Sequence, residues 1–411
     1  MRRSRPARAA LPGLSGAAVL CLLLLAGCEN PAGLPDGLGD PDGNDPNVRT
    51  VAADSVEAAA FDDLTGAFLT EEGFNDFQAL AGRVDDPAFG TTTALGYVDF
   101  LPPSNFPEGF LERPLREVTL QLQRRYVYGD TLASTTFDLR QVLEEWDAVS
   151  AASDTLFPVQ EATIVSFEVA ASDSLVEISL PDSWIADNDT TLRSSQFSNL
   201  FHGFQLQAQD GGNAVYGFSG GSTLELVSAE DTVIYRASEL FSNLDRTPPA
   251  APPADGRLRI QDGTGESIQL KVEVDALGRA DINTAFIRVD ADSLADPAPM
   301  GFVRPQVREL VLYGLGLATD DNPNPEPVFL ASAMLDEETQ TFSFGSASLT
   351  GIVQDLVLDR SGLARFIIGF PAVPPRVTPR PFADQSSIDA VSLVGPGEDG
   401  APRAVVILIP N

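Results

Sequence analysis

Very few residues in this chain of 411 can carry thiol, imidazole or metal chemistry. It has two cysteines, one histidine (His202), two tryptophans and a single lysine, Lys271. With one histidine, and cysteines only at positions 21 and 28, His- and Cys-based zinc centres, Cys–His nucleophiles and ordinary electron-transfer sites are excluded. No metal or cofactor is expected. Positive charge is scarce as well: 26 Lys and Arg face 59 Asp and Glu, a formal charge of −33. Such a surface repels nucleic acid and anionic headgroups, so nucleic acid is not an expected partner. Long apolar runs are also missing. The longest, from Ala9 to Leu25, is too short for an ordinary spanning helix.

That run has a different meaning. It follows Arg2, Arg3, Arg5 and Arg8, with no acid among them, which is the pattern of a secretory signal. It ends in Leu25-Ala26-Gly27-Cys28, which resembles the lipobox of bacterial lipoproteins, in which small residues admit the protease and the thiol accepts a diacylglyceryl group. Residues 1–27 are therefore expected to be a lipoprotein signal peptide and Cys28 the lipidated N-terminus. The following residue is Glu29 rather than Asp, so the outer membrane is the expected address, reached through the N-terminal lipid. Cys21 leaves with the signal, so no thiol or disulfide remains. Removing four arginines and no acid takes the charge from −33 on 411 residues to −37 on the remaining 384.

Residues 28–49 read as a lipidated N-terminus and flexible tether, rich in Pro, Gly, Asp and Asn without apolar periodicity. Asp40, Asp42, Asn44 and Asp45 suggest a calcium loop. The EF-hand needs Gly sixth and Glu twelfth, where this chain has Asp45 and Val51, and a solvated linker is the better reading.

Beyond the tether, runs at 116–129, 161–170, 174–181, 222–228 and 231–237 alternate apolar and polar residues and are bounded by Gly, Pro, Asp and Ser, as half-buried antiparallel strands are. Helical periodicity is confined to 61–69, 139–146 and 350–357. The Pro-rich stretch 246–256 reads as a linker. The expected fold is all-β: two jelly-roll-like antiparallel β-sandwich domains with minor short helices, at 50–245 and 257–411.

The halves repeat one plan. Thr93-Ala94-Leu95 through Asp99 precedes Arg113-Pro114-Leu115-Arg116-Glu117-Val118, and Thr284-Ala285-Phe286 through Asp290 precedes Arg304-Pro305-Gln306-Val307-Arg308-Glu309 at nearly equal spacing. Each half then offers a short helix and a closing strand pair, 222–237 in one and 389–410 in the other. Gly82 with Asp86-Pro87-Ala88-Phe89-Gly90, Tyr128-Gly129-Asp130-Thr131, Leu180-Pro181-Asp182-Ser183-Trp184 and Phe201-His202-Gly203-Phe204, together spanning much of 55–411, resemble the large β-sandwich lipoproteins of unknown function of Bacteroidota outer membranes. That resemblance implies an outer-membrane β-sandwich lipoprotein and supplies no catalytic residues.

Gly217-Phe218-Ser219-Gly220-Gly221 spells a nucleophile elbow, but its neighbours read as strands and the only histidine lies upstream, which favours a Gly-rich turn. Paired carboxylates cannot be located among so many acids. Trp146 follows Glu144-Glu145 and Trp184 follows Asp182-Ser183, and with Tyr126, Tyr128 and Tyr216 these are candidate glycan-binding platforms, set against the alternative of core packing. No catalytic residue is named. The expectation is a non-enzymatic binding or scaffolding lipoprotein of the envelope, its partners envelope proteins or surface polysaccharide. The alternatives are a glycan-binding surface lipoprotein and a carboxylate-dependent glycoside hydrolase.

Overall fold

A computed structural model describes residues 48–60, 78–148, 151, 154–249, 257–263, 266–272, 281–292, 298–316, 328–358, 363–370, 387–395 and 403–408. The lipobox with Cys28, the candidate calcium residues Asp40, Asp42, Asn44 and Asp45, the expected helix at 61–69 and residues 250–256 of the linker lie outside them. The described strands pair antiparallel, in the all-β class that the alternation predicts.

Eleven strands share one sheet. β9 (Ala214–Ser219) and β10 (Thr223–Val227) follow one another along one edge of β4 (Glu117–Asp130), while β7 (Leu175–Ser179) pairs with Thr119–Gln123 along its other edge. β3 (Gly90–Leu101) continues through β8 (Phe204–Ala208) and β5 (Thr135–Gln141) to β6 (Val165–Val169). Two strands join these groups. β2 (Gln78–Asp86) pairs with β9 at its start and with β3 at its end, and β11 (Thr232–Thr247) likewise passes from β10 to β3. Strands that change partner midway make the corners of a sandwich. On β2 the change falls at Gly82, with φ at 141° and no room for a side chain: a Cβ would lie 2.2 Å from the Ala214 carbonyl oxygen. Inward residues of both groups, among them Leu120, Leu122, Phe137, Phe204 and Phe218, form the core. Helices α1 (Asp182–Leu192) and α2 (Phe197–Leu200) add Trp184, Ile185 and Phe197 to it.

Eight strands close into a barrel in the order β1 (Val48–Ala60), β13 (Glu266–Val272), β19 (Leu363–Gly369), β16 (Glu309–Gly316), β17 (Val328–Asp336), β18 (Thr341–Gly345), β14 (Ile282–Asp290), β21 (Arg403–Leu408). Here too the corner strands are shared. β1 pairs with β21 through 48–52 and, past an irregularity at Ala53–Ser55, with β13 to residue 60. Helix α3 (Ala347–Val357) packs Leu349 and Val353 into the barrel core. Ser346 caps it, accepting from the Leu349 amide at 3.0 Å. Farther along, Thr350 and Gln354 accept the β14 amides of Ala285 and Ile282.

The pairing crosses the expected boundary in both directions. Residues 48–60, which precede the first set, complete the barrel, and without them β13 and β21 would each present an open edge. β15 (Phe302–Val303), from beyond the linker, pairs with Gly129 and Asp130 of β4. The linker does not begin at 246 as a break, because Arg246 and Thr247 still pair with Thr92 and Thr91. Two local expectations are corrected. The segment 139–146 is not a helix: residues 139–141 end β5 and the rest is irregular. The last two strands do not pair with each other, since β20 (Ala390–Leu393) pairs with β12 (Leu258–Gln261) and β21 with β1 and β14. The sequence also gave no warning of α1.

A buried seam joins the two strand sets. Leu80, Val84, Phe89, Tyr128 and Leu244 of the first pack with Ile388 and Ala390 of the second. At its centre Asp86, 4% exposed, accepts from Arg304 Nε at 2.5 Å and Nη2 at 2.7 Å, from the Tyr128 hydroxyl at 2.8 Å and from the amides of Ala88 and Phe89. The Arg304 guanidinium lies between the rings of Phe89 and Phe302, 5.6 and 5.5 Å from their centroids. Beside it the Tyr126 hydroxyl donates to Asp389 at 2.9 Å and accepts from the Ile388 amide.

Candidate functional site

Four of the five rings named as glycan platforms are buried, and the fifth, Tyr126, is half-buried. Tyr128 and Tyr216 are fully buried; Trp146 and Trp184 are 7% and 8% exposed. Trp184 projects from α1 against Phe204 and Phe201, and its indole donates to Gln141 Oε1 at 3.1 Å. Tyr216 packs against Phe137 in the sandwich core. Tyr126 and Tyr128 belong to the seam, and burial together with the neighbouring carboxylates Asp389 and Asp86 raises both hydroxyls. A sugar stacks on a ring face open to water, and the four buried rings do not offer one; Tyr126 is half-buried, with its hydroxyl held between Asp389 and the Ile388 amide. Tyr128, Tyr216, Trp146 and Trp184 serve as packing, the alternative the sequence left open.

Ser219 is part of a turn between strands. Its hydroxyl donates to Gln123 Oε1 at 3.0 Å, and the Ser222 amide bonds back to its carbonyl, so the Gly-rich stretch seats β9 and then β10 against β4. The strand-to-helix geometry of a nucleophile elbow is absent here. His202, partly exposed before β8, contributes its carbonyl, which accepts the Trp146 indole proton at 2.8 Å.

Trp146 leads to the most unusual chemistry on the molecule. Two arms, 142–148 and 154–160, lie over the outer face of β3 and β11, away from the sandwich core. Val142, Trp146, Ala148 and Phe157 there cover Tyr97 and Phe241, with Trp146 and Phe157 ring centroids 5.1 Å apart and Tyr97 and Phe157 also at 5.1 Å. Polar bonds fasten the arms. Leu143 donates to the Pro158 carbonyl, Gln160 to that of Gln141, and Asn243 Nδ2 to that of Thr155. Gln205 Nε2 donates to the Tyr97 hydroxyl at 2.8 Å.

Where the 142–148 arm ends, acids converge. Asp99 on β3 and Glu239 on β11 are direct cross-strand partners, beside a register shift at Ala237–Glu239. Asp99 Oδ1 accepts from the Phe100 amide at 2.8 Å, and Glu239 Oε2 from the Ala148 amide of the arm at 3.3 Å. Burial pushes the Asp99 carboxyl up to about 7; the Phe100 amide opposes this and the charges of Glu239 and Glu145 add to it. Glu239 is raised by burial, against the Ala148 amide, with Asp147 and Glu145 contributing. Like charges opposite one another destabilise a ladder, and a proton on one of them relieves the repulsion. Among the described residues no group of three His, Cys, Asp or Glu is placed to hold a metal.

The seam carboxylate behaves in the opposite way. Burial of Asp86 would raise it, but the Arg304 hydrogen bonds, the Ala88 amide, the Tyr128 hydroxyl and the Arg304 charge outweigh burial and hold it below the usual carboxylate range. Neither Asp86 nor Asp99 was singled out as functional from sequence. The one available signal was Asp99 itself, an acid two residues from Tyr97 and so on the same face of a strand.

No family model matches the chain, and no curated protein matches it. Among solved structures, the N-terminal CBM22-1-CBM22-2 tandem domain from Paenibacillus barcinonensis Xyn10C aligns over 89% of this chain and 94% of its own. The identity is 12% and the TM-score 0.18. Function has to be argued from this chain's own residues.

Proposed function

We propose that this chain is an exported, outer-membrane lipoprotein of the Bacteroidota type, anchored through Cys28, whose β body serves as a non-catalytic binding or scaffolding module for another envelope protein. The address rests on the basic start, the apolar run and Leu25-Ala26-Gly27-Cys28.

The binding role rests on one observation, an exposed apolar cluster at the seam. Met300 is 92% exposed, Leu132 73% and Val303 40%. Leu132 and Met300 sit on two turns bonded to each other, with the Thr131 amide and hydroxyl both donating to the Gly301 carbonyl, at 2.8 and 2.7 Å, and Val303 follows in β15. A Cβ on Gly301 would lie 2.4 Å from Leu132 Cγ, so the leucine rests directly on that turn. Apolar side chains held in water on a rigid base mark protein contact surfaces. Sugar recognition would need ring faces in water, and four of the five candidate rings are buried. The acid pair with a poorly solvated member, Asp99 and Glu239, is committed to the 142–148 arm.

Crosslinking in intact membranes followed by purification tests the reading. One partner protein should be captured repeatedly by the wild type and lost with Leu132→Ser/Met300→Ser, while Cys28→Ser moves the chain into the soluble fraction. Repeated recovery of the lipoprotein alone, or capture indifferent to the double variant, would sink the binding role.

A further inference from the structure

We propose that Asp99, Glu239 and the arm 142–148 form an acid-tightened latch: with one of the two carboxyls protonated the arm stays seated over Tyr97 and Phe241, and loss of that proton to solvent loosens the arm and uncovers that aromatic face. The geometry carries this. Asp99 and Glu239 are cross-strand partners on neighbouring strands, and Glu239 is the acceptor for the Ala148 amide of the arm. The arm brings more negative charge to the same place, in Glu145 and Asp147. The charges that raise the two carboxyls are those of Glu239 and Glu145 on Asp99, and of Asp147 and Glu145 on Glu239. Other ionisable side chains on the neighbouring elements are Glu144 on the arm, Asp154 on its companion, His202 before β8, Arg140 on β5, cross-strand from Gln205, and the exposed Arg236 on β11, cross-strand from Leu101. With both carboxylates ionised, repulsion acts across β3 and β11 and between Glu239 and the arm's own acids, and it opposes the 3.3 Å bond from the Ala148 amide.

The face beneath is apolar and aromatic: Tyr97 and Phe241 are both fully buried under the arms. Trp146 rides on the arm and reports its position. Its indole bond goes to a carbonyl, so its own seating does not titrate.

The test is acrylamide quenching of Trp146 in the purified full chain carrying Trp184→Phe. Quenching is expected to rise about threefold between roughly pH 5.5 and pH 8.5, with a midpoint near the Asp99 titration, and to stay low throughout in Asp99→Asn. His202→Asn, which removes the imidazole and keeps the carbonyl, should leave the profile intact. A flat wild-type profile, an unchanged rise in Asp99→Asn, or loss of the rise in His202→Asn overturns the latch. Should far-UV circular dichroism show Asp99→Asn unfolded, Glu239→Gln takes its place. It retains an acceptor for Ala148 and removes one of the opposed charges, so the rise should shrink by about half or more; an unchanged rise rejects the proposal.

Discussion

Asp86 and Asp99 stand thirteen residues apart, near the ends of the two strands of one hairpin, and both are largely withdrawn from water. Asp86 meets an arginine, a tyrosine hydroxyl and two amides; Asp99 meets one amide and other acids. Burial raises both, and the surroundings decide the net direction. The first is held below its ordinary range and fixes the strand sets together, whereas the second is pushed to about 7 and leaves a weak point over an aromatic face. The comparison teaches that a buried carboxylate gives rigidity or responsiveness according to what faces it.

The largest effect should come from removing the cation. Arg304→Met leaves Asp86 buried and unpaired and is expected to cost about 3–5 kcal/mol in urea denaturation. Asp86→Asn added to Arg304→Met should recover a large part of that, because the uncompensated charge disappears. If Arg304→Met costs no more than an exposed substitution, under about 0.5 kcal/mol, the contrast between the two aspartates collapses.

Asp99→Asn should act with the opposite sign. The unfolded chain releases this proton near 3.8 and the folded chain near 7. Folding therefore loses stability as pH climbs between those values and levels off above. Asp99→Asn should be indistinguishable from wild type near pH 4 and more stable by about 2 kcal/mol at pH 8, after allowance for partial hydration. A substitution that destabilises at pH 8 would place Asp99 among ordinary structural residues.

The sequence made the strands legible where one face is core and the other is water. The alternating runs at 116–129, 161–170, 174–181 and 222–237 all fall on β4, β6, β7, β10 and β11, and the helix at 350–357 lies within α3. The failures have physical reasons. Leu139, Val142 and Trp146 are spaced like one helix face, but Leu139 points into the sandwich core while Val142 and Trp146 pack on the outer face. A strand buried on one face and half-buried on the other, followed by a covering arm, imitates a helix. In α1 the buried residues are Trp184, Ile185 and Leu192 among Asp, Asn and Thr, which are poor helix formers, so neither pattern nor propensity announces it. The site was least legible. Asp86 and Arg304 are 218 residues apart, and the Asp99–Glu239 opposition exists only once β3 and β11 are in register. Trp146 and Trp184 were conspicuous as types, and the fold uses them as packing.

The smallest predicted effect is also the most discriminating for the seam. Tyr128→Phe removes one of five bonds to Asp86 and leaves its ring against Phe302 in place. Hydrogen bonds to a charged group contribute about 1.5–3 kcal/mol, and with the arginine retained the loss should sit near 1 kcal/mol at neutral pH. The pH dependence then separates two accounts of that loss. Asp86 is held low in the folded state, so its contribution is present above the ordinary carboxylate value of 3.8 and disappears as pH falls through its folded value. Without the hydroxyl the folded carboxyl should titrate higher, and the acid limb of the stability curve should begin at a higher pH in Tyr128→Phe than in wild type. A parallel downward shift at every pH would mean that the hydroxyl contributes only packing and desolvation. In that case Arg304 and the two amides would be sufficient to set the Asp86 titration.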